Sequence, residues 1–240
     1  MRASVVTVAA AKGGVGKTTL AYELAATMGG VLVDLDWDSG GATRMWGYDP
    51  GQHSRVPLLD ALEAGPDGRA PRPKTAPRRP GLVPAHPDLA ASRIPDDLVA
   101  DCLLAWAGEW GKGYVVVDTH PGANPLTDGA MQAADLVVVP VILAAREMDA
   151  LEGMLADYVA YRLLLVPNMV PGVPNRRFVE RLARSAGTTP VAPPISEHRW
   201  LRRRLRRAAV TLELNPGARL KAAADEFQRV AVTVGEILGH

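Results

Sequence analysis

Six short apolar runs punctuate the chain, at 4–10, 31–35, 81–85, 114–117, 136–142 and 162–166. Val and Leu dominate them, and several are too continuous for strands with one wet face. They read as strands buried on both sides. Helix-compatible stretches lie between them at 18–28, 95–106 and 148–161, and a last one at 219–238 is expected to pack back on the sheet. Strand alternating with helix predicts βαβ units. The expected fold is therefore α/β, a mostly parallel twisted sheet with helices on both faces. A length of 240 residues suits one large domain over 1–240.

The pattern breaks at 66–80, where Pro66, Pro71, Pro73, Pro77 and Pro80 mix with Arg69, Arg72, Lys74, Arg78 and Arg79. An exposed, irregular or mobile loop insertion is expected there. Apolar residues make up 48% of the chain, enough for a sizeable core, which excludes a wholly disordered protein. The single cysteine, Cys102, rules out an internal disulfide and a cysteine-based zinc site, and reads as a small buried apolar residue. No run reaches the ~18 apolar residues of a membrane span. The N-terminus passes straight into a strand-like run, so no leader is expected, and the protein should be cytoplasmic.

The formal net charge of +1 hides an asymmetry. Residues 176–207 carry ten of the 27 basic residues and only two of the 26 acids. A concentrated basic segment on a near-neutral protein points to an anionic partner.

The strongest local signal is Lys12-Gly13-Gly14-Val15-Gly16-Lys17-Thr18-Thr19, which follows the first strand and opens a helix. Phosphate needs several backbone N–H groups aimed at it, and glycine lets the backbone fold that closely. The helix N-terminus adds its positive dipole end. Lys17 would reach the β/γ-phosphates, and Thr18 would hold Mg²⁺ through its hydroxyl. A dinucleotide fingerprint is the competing motif. Gly14 and Gly16 fit it, Thr19 stands where its third glycine belongs, and Asp34 and Asp36 lie about 20 residues on. Lys17-Thr18 decides for a triphosphate. The ordinary phosphate loop has its first glycine where this chain has Ala11, and Lys12 comes directly before the glycines.

This string resembles the deviant Walker A motif of the ParA/MinD family of ATPases, whose signature is the extra lysine. The resemblance implies ATP and Mg²⁺ as ligands and a homodimer that sandwiches ATP. In it Lys12 would cross to the partner's phosphates, with Gly13 at the tight contact. The segment after the second strand, Asp34-Leu35-Asp36-Trp37-Asp38-Ser39-Gly40-Gly41-Ala42-Thr43, is similar to the family's D-x-D-P-Q-G-N-A-T run. By that match Asp36 helps position the attacking water and the Mg²⁺ shell. Trp37 stands for proline, Asp38 for glutamine, and one residue is added.

Tyr114-Val115-Val116-Val117-Asp118 is an apolar strand closed by an acid, the Walker B pattern, in which the carboxylate holds Mg²⁺. The family continues D-x-P-P, whereas this chain reads Asp118-Thr119-His120-Pro121. His120 is either filler or a group that senses nucleotide or pairs with an acid. Asn168, closing the last strand-like run, matches the family's adenine-reading asparagine, although asparagine is also a routine turn residue.

The stretch 196–212 has helical periodicity, with Leu201, Leu205, Ala208 and Leu212 on one stripe and Arg199, Arg202, Arg203, Arg204, Arg206 and Arg207 on the remaining arc. A basic helix is expected there. By resemblance it binds nonspecific DNA when ATP has formed the dimer, with Arg219 joining it. The implied function is an ATP-dependent DNA-partition ATPase. It would be slow, nucleoid-associated, and stimulated by a ParB-like centromere-binding protein. The alternative is a MinD-like ATPase on a membrane surface. Proteins of that kind carry their basic amphipathic helix at the extreme C-terminus, and residues 230–240 of this chain hold no lysine or arginine. A nitrogenase-reductase-like role is excluded, since a bridging cluster takes two cysteines per chain.

Overall fold

The strands are β1 (Ser4–Val8), β2 (Val31–Asp34), β3 (Gly81–Val83), β4 (Tyr114–Asp118), β5 (Leu136–Val141) and β6 (Leu163–Pro167). They form one sheet in the order β3-β2-β4-β1-β5-β6, and every neighbouring pair is parallel. The computed structural model describes residues 1–38, 41–52, 57–111, 113–204 and 207–239. All six expected strands are present, and some end a residue or two early. Val8 is paired with Asp118, and beyond that register the chain leaves the sheet for the loops above it.

The helices are α1 (Lys17–Thr27), α2 (Ala42–Trp46), α3 (Pro57–Ala64), α4 (Asp96–Trp110), α5 (Pro125–Gln132), α6 (Ala145–Asp157), α7 (Arg176–Ala186) and α8 (Ala218–Leu238). Alternate side chains of each strand serve opposite faces. Val6, Val8, Leu32, Val116 and Val138 pack with Leu20, Leu24, Phe227 and Val230 of α1 and α8. Val5, Val33, Val115 and Val117 pack with Leu58, Leu62, Leu103 and Trp106 of α3 and α4. A third cluster joins β5 and β6 to α6 and α7 through Met148, Leu151 and Leu182. Cys102 is fully buried on α4, as its apolar reading required.

Four helices carry too weak a pattern to be anticipated. Helices α2, α3 and α5 have five to eight residues, shorter than the window over which a 3.6 period is legible. Helix α7 buries only Leu182 and Ala186, and its arginines read as a charge run. The 66–80 loop is irregular as expected, but it is anchored. Lys74 and Leu82 exchange backbone hydrogen bonds, the Trp46 indole donates to the Pro80 carbonyl at 2.8 Å, and Ala209 N–H donates to the Arg78 carbonyl at 2.8 Å.

The basic helix expected over 196–212 does not form. Among the described residues this stretch holds two single 3-10 turns, Leu201–Arg203 and Val210–Leu212. The reason is competition for its backbone. Glu23 of α1, almost wholly buried, accepts the N–H groups of Val210 and Thr211 at 2.8 and 3.1 Å and the Thr211 hydroxyl at 3.1 Å. The Tyr22 hydroxyl donates to the Arg207 carbonyl at 2.6 Å. Donors and acceptors that a helix would pair internally are taken by α1 and the 66–80 loop. Adjacent arginines also repel one another along a helix face.

Replacing Glu23 by Ala strands these buried donors, at about 1–3 kcal/mol for each. We expect Glu23→Ala to lower unfolding stability by about 3 kcal/mol in urea denaturation, and Glu23→Gln, which keeps an acceptor oxygen, to lose less. An unchanged midpoint for Glu23→Ala would contradict the brace.

Candidate functional site

The glycine loop leaves β1, a central strand, and enters α1 at the carboxyl ends of the strands, where open parallel sheets place their ligands. Gly14 and Gly16 have φ of +79° and +91°, a left-handed backbone that other residues adopt only with strain. At Gly16 a Cβ would also collide with the Asn168 amide nitrogen. Gly13 differs, because its backbone is ordinary and a Cβ there would meet only Pro121 at 3.8 Å. Among the described residues of one copy, nothing requires a glycine at 13. Val15 turns inward and is buried, while Lys12 is exposed, its Nζ donating to the Arg146 carbonyl at the start of α6 at 2.8 Å.

Lys17 opens α1 and is buried. Loss of water pushes its pKa down, while Asp118 and Asp36 pull it back up. Asp118 closes β4, wholly buried, and neither carboxylate oxygen has a hydrogen-bond partner of good geometry among the described residues. Burial drives its pKa well up, the nearby Asp34 adds to this, and Thr18 and Lys17 oppose it. Thr18 and Thr19 follow on the first turn of α1, both half-buried.

The two aspartates of the second strand and its following loop have different surroundings. Asp34 is fully buried and accepts from Thr43 N–H and Oγ1, both at 2.6 Å, and from Asp36 N–H at 3.0 Å. It fastens the start of α2 to β2, and burial raises its pKa to about 7. Thr43 Oγ1 in turn accepts the Ala85 N–H at 2.8 Å. Asp36 is only partly buried and lies within electrostatic reach of Lys17 and His120, its pKa raised by burial. Asp36, not Asp34, is therefore the acid left accessible near the glycine loop. Ser39 and Gly40 of this run lie outside the described residues.

Beside the loop is a cleft of about 360 Å³. Gly16, Thr19 and Leu20 line it together with Asn168, Met169, Arg44, Met45 and residues 195–199. Asn168 is buried, and its amide donates to the Val15 carbonyl at 2.8 Å. It braces the glycine loop from the wall of the cleft. Leu201, Arg204 and Phe227 also contribute to the wall. The basic stretch thus lies against the cleft, a position that its periodicity gave no reason to expect. Sequence reasoning also passed over Arg44, although it directly follows the Ala42-Thr43 pair matched to the family run.

The arginines singled out, six on the basic stretch and Arg219 on α8, do not form one surface. Arg199, Arg203, Arg207 and Arg219 are exposed. Arg207 also donates to the Gly47 carbonyl at 3.1 Å, and Arg219 lies over the Trp200 ring at 5.1 Å. Arg204 is mostly buried in an ion pair with Glu213 and is committed to structure. The side chain of Arg202 and all of Arg206 lie outside the described residues.

No protein-family model matches the chain. It is 32% identical over 163 residues to the chromosome-partitioning ATPase Soj of Thermus thermophilus, covering 66% of this chain and 62% of that protein. It is 35% identical over 166 residues to the chromosome partitioning protein ParA of Caulobacter vibrioides, covering 62% and 59%. The match thus spans about three fifths of the length of these relatives. In fold, it superposes on the ATP complex of McdA from Cyanothece with a TM-score of 0.76 at 18% identity, covering 99% of this chain and 97% of the other. A parallel sheet of this order, a glycine loop carrying both lysines at the end of β1, and relatives of these names agree: the chain is similar in sequence to ParA-type partition proteins and shares their neighbours' α/β fold.

Proposed function

We propose that the protein is an ATP-dependent DNA-partition ATPase that works as a homodimer closed over ATP. The observation that carries this reading is the Asp118–Lys17–Thr18 group at the end of β1 and β4. A wholly buried carboxylate with two unpartnered oxygens is costly unless a cation answers it. Asp118 and the Thr18 hydroxyl fit a Mg²⁺ ion, an oxygen-seeking cation, with Asp36 in its outer shell. Such an ion, when bound, neutralises charge on the β- and γ-phosphates. Lys17 does the same from the protein side, and the N–H groups of 13–18 cradle the phosphate oxygens. Asp36 orients the attacking water. Asn168 and the cleft wall at 195–199 receive the base.

Lys12 completes the site of a second copy. It is exposed and bonded to a surface carbonyl, so it is released at little cost. The lack of an intrachain need for glycine at 13, among the described residues, supports a backbone-close approach of the partner there. The exposed Arg199, Arg203, Arg207 and Arg219 supply nonspecific phosphate contacts to DNA. Hydrolysis ends the dimer and releases the DNA, and a centromere-binding protein of the ParB kind stimulates it. The protein would then be cytoplasmic and associated with the nucleoid.

Helix α8 bears on the membrane alternative. Its apolar face, Ala223, Phe227, Val230, Ala231 and Val234, is already buried against the core. No helix among the described residues is long and apolar enough to cross a membrane.

Asp118→Asn removes the buried unpaired charge. We expect it to raise the melting temperature of the nucleotide-free protein while abolishing Mg²⁺-dependent hydrolysis; a fall in melting temperature with activity retained would refute the assignment. Lys12→Ala should still bind ATP yet stay monomeric in sedimentation with ATP, whereas Lys17→Ala should lose ATP affinity itself. Random-sequence DNA should shift in a gel with ATP and not with ADP or without nucleotide. Each exposed arginine replaced should flatten the slope of log affinity against log salt by roughly one for every phosphate it had neutralised. Equal binding in all three nucleotide states would remove the switch. Liposomes should not pellet the protein with ATP.

A further inference from the structure

Three positions at which this chain departs from the family pattern meet in space. Trp37 and Asp38 follow β2, His120 follows β4, and those strands are neighbours with Asp34 in register with Asp118. The His120 ring lies flat on the Trp37 indole, with centroids 4.0 Å apart and planes 5° from parallel. Its Nδ1 is 2.9 Å from the Pro121 carbonyl oxygen. A carbonyl only accepts, so this nitrogen carries a proton, and in the neutral ring Nε2 is then the nitrogen free to bind a ligand.

Nε2 faces Oδ2 of Asp38 at 3.4 Å. A carboxylate oxygen of Asp36, one of Asp38 and a ring nitrogen of His120 all lie within 4.8 Å of one another. Two carboxylates and one imidazole nitrogen thus converge on a single point. An imidazolium–carboxylate hydrogen bond would draw the pair to about 2.7–2.9 Å, shorter than the distance seen. Donor atoms bound about 2.0–2.2 Å from a shared metal ion are instead held some 3–4.4 Å apart. The Nδ1–carbonyl bond is the outer contact that fixes the ring of a metal-binding histidine, and the stacked indole adds a second restraint. Asp36 and Asp38 also line a cleft of about 240 Å³ that carries His86 and Arg44, leaving room for water or a further ligand.

We propose that Asp36, Asp38 and His120 bind a divalent transition-metal ion of the Zn²⁺ class. The imidazole selects this class over Mg²⁺ and Ca²⁺, which take oxygen donors. The site is separate from the all-oxygen Thr18–Asp118 group, although Asp36 fronts both. The inference rests on this geometry and does not require the partition reading.

The test is Zn²⁺ titration of the nucleotide-free protein by calorimetry, in wild type, Asp38→Asn, His120→Ala and His86→Ala. Asp38 is two-thirds exposed, so Asp38→Asn is expected to fold even if His120→Ala does not. Wild type and His86→Ala should bind one Zn²⁺ per chain with equal affinity, retained in excess Mg²⁺. Both ligand variants should bind at least about tenfold more weakly, since removing an outer-shell partner alone has that effect. Zn²⁺ should raise the melting temperature of wild type and not of Asp38→Asn. Wild-type binding no tighter than millimolar, an affinity unchanged in Asp38→Asn, or displacement by Mg²⁺ would overturn the proposal. Because no nucleotide or DNA enters the assay, its failure would leave the partition reading untouched.

Discussion

A carboxylate held out of water and short of well-aligned hydrogen-bond donors is the constraint around which this molecule is arranged. Asp118 closes a strand that is buried on both faces, so neither solvent nor a surface side chain reaches it. Its relief comes from the Thr18 side chain and from Lys17, which is itself desolvated and held at the first turn of α1. Each charge makes the other tolerable, and neither is fully satisfied within the described chain. The neighbouring Asp34 shows the contrast. It is equally buried, yet three donors answer it, and its task is to hold α2 and β3 in place. Two acids in register on adjacent strands thus divide into a structural brace and a group left available.

Helix α1 couples this arrangement to the basic stretch. Its first turn bears Lys17 and Thr18, and its second bears Tyr22 and Glu23, which hold the backbone at 207–211. The basic stretch therefore hangs from the same helix that faces the glycine loop, and it supplies part of the cleft wall. A rigid element shared by two surfaces gives them a physical connection. It also explains the irregular form of the arginine-rich segment: its backbone partners come from α1 and from the 66–80 loop, leaving none for a helix of its own.

The departures from the family pattern are not scattered. Trp37 and Asp38 are separated from His120 by more than eighty positions along the chain, yet two rings stack and two polar groups face each other. Neighbouring strands of a parallel sheet deliver their following loops to one edge, so changes in the two loops are felt together. Lys12 and Gly13 lie on the surface beside this edge, shaped for something other than the chain's own interior.

The strands, the parallel sheet, the glycine loop and the acids at strand ends were legible in the sequence. Each follows from short-range rules: continuous apolar runs must be buried on both faces, and a bend that brings several N–H groups together needs glycine. Short helices such as α2 and α5 left no readable period, and α7 was hidden by its charge. The fate of 196–212 and the split between Arg204 and its exposed neighbours were decided by Glu23, Glu213 and the 66–80 loop. The same holds for the roles of Asp34 and Asp36, and for the meeting of His120 with Asp38. Periodicity records which side chains a helix would bury, but it says nothing about a distant carboxylate that takes the backbone N–H groups first. Only the folded chain sets that competition, because it alone brings residues 23 and 210, or 38 and 120, within bonding reach.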